Sequence, residues 1–170
     1  MLHYAPILPQ DYPVLTQIMT AAFDEDTRLH TSLLHDGPAG YNDGTLIRKL
    51  NENPDFISEK VLLDDKIGAY TISHKPEQNI LELLFLDPDC GNQGLGTQIW
   101  NHIEEHFSNC SRWVLETPSY STRNHHFYTQ KCGFHFVCEK QYPDATSFVF
   151  EKGRKTVLDF QDMMKMQTEL

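Results

Sequence analysis

Residues 84–97 constrain this chain more than any other stretch: Leu-Phe-Leu-Asp-Pro-Asp-Cys-Gly-Asn-Gln-Gly-Leu-Gly-Thr. An apolar run breaks at Pro88, turns through glycine and enters a helix. The helix carries Leu95, Ile99, Ile103 and Phe107 at i, i+4 spacing, with Trp100 beside them. A strand that passes through a glycine turn into a helix is suited to binding an anion. The first-turn N–H groups of the helix lack intrahelical partners, and the macrodipole places positive potential there. Glycine removes the Cβ that would hold a ligand away from the backbone. The spacing is G-x-x-G-x-G, at Gly91, Gly94 and Gly96. The dinucleotide fingerprint runs in the opposite order. The NTPase phosphate loop needs Gly-Lys-Ser/Thr, whereas Gly96 is followed directly by Thr97. Both readings fail on residues.

The 170 residues suffice for one domain with a real core. A net charge of −10 with no basic run argues against a nucleic-acid partner; such acidity can attract cationic amines, though surface acidity more often serves plain solubility. The amino terminus, Met1-Leu2-His3-Tyr4, has no basic region followed by an apolar one, and no apolar run reaches membrane-spanning length. No membrane association is expected. Cys90, Cys110, Cys132 and Cys138 are scattered without a C-x-x-C, which fits reduced thiols in a cytoplasmic protein and not a zinc site. Cys90 lies in the glycine turn and is a candidate reactive thiol.

Periodicity predicts a strand over residues 2–8, a helix over 9–23, and a long polar loop over 24–44 with one helical turn around Leu33. A helix follows over 45–51, then strands over 56–63, 67–73 and 79–86. The glycine-turn helix spans 94–107. A strand over 112–116, a helix over 122–131 capped by Cys132-Gly133, and an antiparallel pair over 134–139 and 146–151 complete the order. This is an α/β single domain, residues 1–152, with a mixed sheet whose central strands are flanked by helices. Residues 153–170 form a tail. Its Val157, Phe160, Met163 and Met164 fall at helical spacing and could dock on the body or on a second subunit, forming a homodimer.

Two motifs resemble one known family. Leu86-Asp87-Pro88 followed by Gly94-Leu95-Gly96 resembles the pyrophosphate-binding motif of the GNAT acetyltransferases, Arg/Gln-x-x-Gly-x-Gly/Ala after a Val-x-Pro-like strand end. Gly91 stands where that family has Arg or Gln. Residues 121–134 resemble the family's later motif, in which a helix ends in an aromatic-Tyr pair shortly before Gly-Phe; here these are Phe127-Tyr128 and Gly133-Phe134. Four residues separate Tyr128 from Gly133 where three are commonest, so either the helix end is bulged or Tyr128 sits one place early. With their strands the motifs cover residues 79–134, and the element order is also that of the family.

The resemblance implies a GNAT-like mixed sheet and acetyl-CoA as co-substrate. It assigns the pyrophosphate to Gly91, Asn92, Gln93, Gly94, Leu95, Gly96 and Thr97, and the pantetheine arm to Leu84, Phe85 and Leu86, which would pair with it as an added strand does. Phe127 and an asparagine near the helix start touch the arm. Ser121 holds the commonest place for that asparagine, and Asn124, one turn later, is preferred. Tyr128 is implied as general acid for the leaving thiolate.

Acyl transfer to an amine also needs a base with a pKa near neutrality. Glu82 is the only acid within the apolar run 80–86, and burial there would raise its pKa; Glu116 is the rival. His102-Ile103-Glu104-Glu105-His106 matches the H-x-x-E-H pattern of one metallopeptidase group, but no third ligand is evident, so no metal is expected. The reading is an N-acetyltransferase that moves an acetyl group from acetyl-CoA to a primary amine of a small molecule or peptide by direct attack in a ternary complex. The alternative is a non-catalytic acyl-CoA-binding sensor on the same fold.

Overall fold

The computed structural model describes residues 1–108 and 110–153, in which the apolar patterns resolve into seven strands and four α-helices. In chain order they are β1 (His3–Pro6), α1 (Tyr12–His30), α2 (Thr45–Glu52), β2 (Phe56–Leu63), β3 (Asp65–His74), β4 (Asn79–Leu86), α3 (Leu95–His106), β5 (Arg112–Pro118), α4 (Thr122–His126), β6 (His135–Tyr142) and β7 (Ala145–Gly153). Short 3₁₀ turns precede α1 and follow β4, and a π-helical turn, Phe127–Lys131, continues α4.

All seven strands form one sheet, ordered β1-β2-β3-β4-β5-β7-β6. Only β4 and β5 are parallel, because α3 forms the crossover between them. Their pairing is short: Asn79↔Trp113, Ile80↔Val114 and Leu81↔Leu115. Beyond it β4 runs on to Leu86 and β5 to Pro118 without pairing, so the middle of the sheet opens as a wedge.

A bulge marks where the wedge begins. Thr71 opposes Leu83 while Ile72 opposes Leu81, which leaves Glu82 as the extra residue. The irregularity also switches faces. Leu81 joins the core under α3, with Ile72, Ile99, Trp100, Ile103 and Leu115. Leu83 and Phe85 join the opposite core under α1 and α2, with Leu15, Met19, Tyr41 and Ile47. The sheet is thus covered on both faces, as its apolar central strand implies.

Several sequence expectations are corrected. Helix α1 continues through residues 24–30, which read as loop. Asp24, Asp26 and Thr27 are buried on it and find partners across the chain. Asp24 accepts from the Tyr41 hydroxyl at 2.7 Å and meets His35 Nδ1 at 2.8 Å, while the Thr27 hydroxyl donates to the Asp36 carbonyl at 3.1 Å. Tertiary hydrogen bonds thereby hold polar text in a helix. No helical turn forms around Leu33. The turn between β2 and β3 is Asp64 alone, at φ 65°. The helix expected over 122–131 is real but changes pitch at Phe127, and its π turn absorbs the extra residue before Gly133 (φ +82°). The helix end is therefore bulged. The expected tail helix lies outside the described residues.

Candidate active site

Where β4 and β5 part, a cavity of about 450 Å³ opens between the end of β4, the start of α3, the α4–π segment and the C-terminal half of α1. Leu84, Phe85 and Leu86 pair with β3 on one side and give the cavity the strand edge that β5 leaves unpaired on the other. Gly91, Asn92, Gly94, Leu95, Gly96 and Thr97 form one end. Gln93, expected with them, is exposed and does not border the cavity.

The turn is built for close approach. Asn92 (φ 60°) and Gly94 (φ 71°) are both left-handed, and Gly94 is the N-cap of α3. A Cβ built on Gly94 would meet nothing within 4 Å, so the space in front of it is open. A Cβ on Gly96 would stand 3.2 Å from the Phe127 ring, so this glycine lets the two signature segments touch. The amide of Gln98 bonds to the Gly94 carbonyl at 3.2 Å, the first rung of the helix. The amides of Leu95, Gly96 and Thr97 precede that rung, where a helix supplies its N–H groups no intrahelical partner.

On the opposite wall Asn124, Phe127 and Tyr128 all border the cavity. Tyr128 packs among Phe127 and Phe134, and its hydroxyl makes no hydrogen bond to the described residues. Burial raises its pKa well above the ordinary tyrosine value, so the proton stays on the hydroxyl at neutral pH. Ser121, the other candidate for the asparagine position, is fully buried and donates to Asp26 Oδ2 at 2.5 Å.

Glu82 departs from expectation. The bulge leaves it exposed, and it does not border the cavity. Partial desolvation still raises its pKa, opposed by Lys75 and reinforced by the Glu116 charge. Glu116 itself accepts from the Tyr142 hydroxyl at 2.6 Å and from Lys140 at 3.4 Å, which ties it to β6. Cys90 borders the cavity, but burial, then Asp87 and Asp89, push its thiol pKa up, which does not favour a reactive thiolate.

The sequence reading missed Ala22, Phe23, Glu25 and Asp26 of α1, together with Arg123, His126 and Lys131. One signal was available. Asp26 extends the inward stripe of buried Leu15 and Met19 and half-buried Ala22 by one more turn, and a polar residue on such a stripe marks a helix that continues past its apolar text. Arg123 donates to Glu25 at 3.0 Å between α4 and α1.

The H-x-x-E-H pattern is a helix face. His102 stacks on Tyr4 with ring centres 3.5 Å apart and lies 3.9 Å from Glu59, and His106 stacks on His102 at 5.6 Å. Among the described residues no group of three His, Cys, Asp or Glu is placed to hold a metal, and no helix is long and apolar enough to cross a membrane.

Comparison with known proteins gives a consistent picture. The model of the acetyltransferase (GNAT) family matches residues 17–134. The uncharacterized protein YrkN of Bacillus subtilis is 36% identical over 87 residues, which are 49% of this chain and 47% of that protein, so the match spans about half the length of that relative. Among solved structures, an acetyltransferase from Thermus thermophilus superposes with a TM-score of 0.70 at 18% identity, covering 91% of this chain and 97% of that one. The PaiA N-acetyltransferase of Thermoplasma acidophilum, solved in complex with coenzyme A, gives 0.68 at 14% identity, covering 91% and 99%. A ribosomal-protein-alanine N-acetyltransferase from Escherichia coli gives 0.69 at 14% identity, covering 92% and 96%. At these identities the structural likeness establishes the fold.

Proposed function

We propose that this chain, which belongs to the acetyltransferase (GNAT) family, moves an acetyl group from acetyl-CoA to a primary amine of a small molecule or peptide by direct attack in a ternary complex. The observation that carries the proposal is the continuity of the cavity. One end offers a helix start and open space at Gly94, the side offers the edge of β4 that β5 leaves unpaired, and Tyr128, whose hydroxyl has no hydrogen bond among the described residues, borders the same space. A pyrophosphate fits the first, an amide-bearing pantetheine arm the second, and a thioester sulfur the third. Asn124 and Phe127 line the path of the arm.

In this reading the amine nitrogen attacks the thioester carbonyl carbon. The C–N bond forms, the C–S bond breaks, and the sulfur leaves as a thiolate. Tyr128 donates a hydrogen bond to that sulfur. Its raised pKa keeps the donor protonated and disfavours full transfer, and a thiolate needs only partial transfer to depart. Glu82 takes the amine's proton through water. It stands one residue beyond the last β4–β5 pair, exposed and outside the cavity lining, so it acts through solvent, and its raised pKa suits a base. The free cysteines fit a reducing, cytoplasmic setting.

The test is thiol release from acetyl-CoA across a panel of primary amines. Amine-dependent release, lowered in Glu82→Gln with loss of the acidic limb of the pH–rate profile, is the expected result. Coenzyme A binding without turnover of any amine would favour the sensor reading instead.

A further inference from the structure

We infer that Asp26 receives the acceptor amine as its ammonium ion, so that the acceptors are aliphatic primary amines that are cationic in solution. The inference rests on the acetyl-transfer reading above and assigns a group of the cavity that the mechanism leaves unused.

Asp26 projects from the C-terminal half of α1 and borders the cavity, yet the residue is only 6% exposed. One carboxylate oxygen is accounted for, since Oδ2 accepts from the Ser121 hydroxyl at 2.5 Å. The other, Oδ1, is buried and has no hydrogen bond. His30 Nδ1 lies 3.2 Å from it, but the hydrogen bond of that nitrogen is to the main-chain carbonyl of Asp26, at 2.9 Å. Arg123 of α4, which also borders the cavity, is engaged with the neighbouring Glu25. Three other buried side-chain atoms among the described residues share the orphan state, on Thr16, Trp100 and His102, and none of those residues borders the cavity. Among the residues that border the cavity, the one buried side-chain atom without a hydrogen bond in the described residues is therefore Asp26 Oδ1.

A buried carboxylate oxygen without a donor is costly, and a ligand that brings both a positive charge and N–H donors removes that cost. An ammonium group brings three donors and one charge. The placement also separates the two substrates. The anion end of the cavity lies at the start of α3, and Asp26 lies on α1, tied through Ser121 to the start of α4. An acid there repels phosphate and attracts a cation. The ammonium must lose a proton before attack, and Asp26 orients it while Glu82 accepts the proton through water. Weakly basic amines that are neutral at pH 7, such as methoxyamine, gain nothing from the carboxylate.

The experiment compares n-butylamine, a cation, with methoxyamine in the wild type and in Asp26→Asn, which keeps the shape and can still accept from Ser121. The expected result is a rise in KM for n-butylamine of about tenfold or more, the order expected for a lost charge-assisted hydrogen bond. KM for acetyl-CoA should be unchanged, and methoxyamine should lose less than n-butylamine by about that factor. Equal losses for both nucleophiles would mean that Asp26 merely braces α1 against α4, and an unchanged KM for n-butylamine would also overturn the inference. Absence of thiol release from the wild type with any amine is a different failure, that of acetyl transfer itself. A second measurement covers that case and a variant that does not fold. With coenzyme A bound, n-butylamine should raise the Tm of the wild type and 1-butanol at the same concentration should not; equal or absent shifts would overturn the inference.

Discussion

The two walls of the cavity are made of different material. The wall from β4 to the start of α3 is backbone: the strand edge at Leu84–Leu86 that β5 leaves unpaired, left-handed Asn92 and Gly94, and the first helical turn, whose amides have no intrahelical partner. The wall from α1 to α4 is side chain: Glu25, Asp26, Arg123, Asn124 and the ring and hydroxyl of Tyr128. A backbone wall recognises phosphate and amide groups, which every acyl-CoA carries, and tolerates most side-chain changes except those that add a Cβ. A side-chain wall recognises one chemistry and changes with each substitution. The contrast predicts that cofactor binding fails through glycine, while acceptor choice and rate fail through functional groups.

The sharpest way to break that contrast is Gly94→Val. A branched side chain is strained at φ 71° and would fill the open space at the anion end. Coenzyme A at a hundredfold excess over its dissociation constant should stabilise the wild type by about 2.7 kcal/mol. In Gly94→Val that stabilisation should vanish while the variant still folds, read as the ligand-induced change in Tm. A folded variant with an undiminished shift would move the anion site elsewhere.

On the other wall the largest single effect should come from Tyr128→Phe. The substitution removes a hydroxyl without a hydrogen-bond partner among the described residues and leaves the ring among Phe127 and Phe134, so stability should hold. With an active amine, kcat should fall about 10²-fold, near the low end for general acids, with KM for acetyl-CoA unchanged. Unchanged kcat in a chemistry-limited assay would remove Tyr128 from the mechanism.

A control outside both walls is His102, on the far face of α3. Burial lowers its pKa, outweighing the nearby Glu59 charge. The folded-state pKa is thus below the unfolded value, so the protein loses stability as pH falls from the ordinary histidine range through the lowered pKa. His125 shifts in the same direction, again chiefly by burial. His102→Gln should therefore shrink the drop in Tm between about pH 7 and about pH 5, without touching the coenzyme A shift at neutral pH. If the acid sensitivity is undiminished, it belongs to other groups.

The backbone wall was legible in the sequence and the side-chain wall was not. Glycine and proline speak locally: Gly91, Gly94, Gly96 and Pro88 fix turn, cap and helix start within a few residues, and strand β4 is legible from Asn79 to Leu86. The π turn was half legible, since counting from Tyr128 to Gly133 exposed the extra residue without saying how the chain absorbs it. The end of α1 was hidden for a physical reason. Asp24, Asp26 and Thr27 are helical because Tyr41, Asp36 and Ser121 satisfy them, and those partners lie 9 to 95 residues away. Glu82 misled in the opposite direction. Its apolar neighbours suggested burial, but a bulge detected only by pairing brings it to the surface.

The smallest effect expected is also the one that joins the walls electrostatically. Glu25 and Arg123 border the cavity and pair at 3.0 Å, with side chains 33% and 57% exposed. An exposed pair of this kind contributes about 0.2–1 kcal/mol to stability, so Glu25→Gln should barely move Tm. Its effect on coenzyme A should have the opposite sign. The substitution removes a negative charge from the cavity and releases Arg123, and both changes favour a ligand that carries phosphates. Affinity should rise, by no more than about fivefold, the equivalent of roughly 1 kcal/mol. Because the groups are partly exposed, the gain should be largest at low ionic strength and fade as the Debye length shrinks from about 30 Å at 0.01 M toward about 3 Å at 1 M salt. Titration of coenzyme A at those two ionic strengths separates the contributions. A gain that survives high salt would mean that Glu25 blocks the site sterically. No gain at either would mean that the backbone wall alone sets cofactor affinity, leaving the side-chain wall wholly to the acceptor.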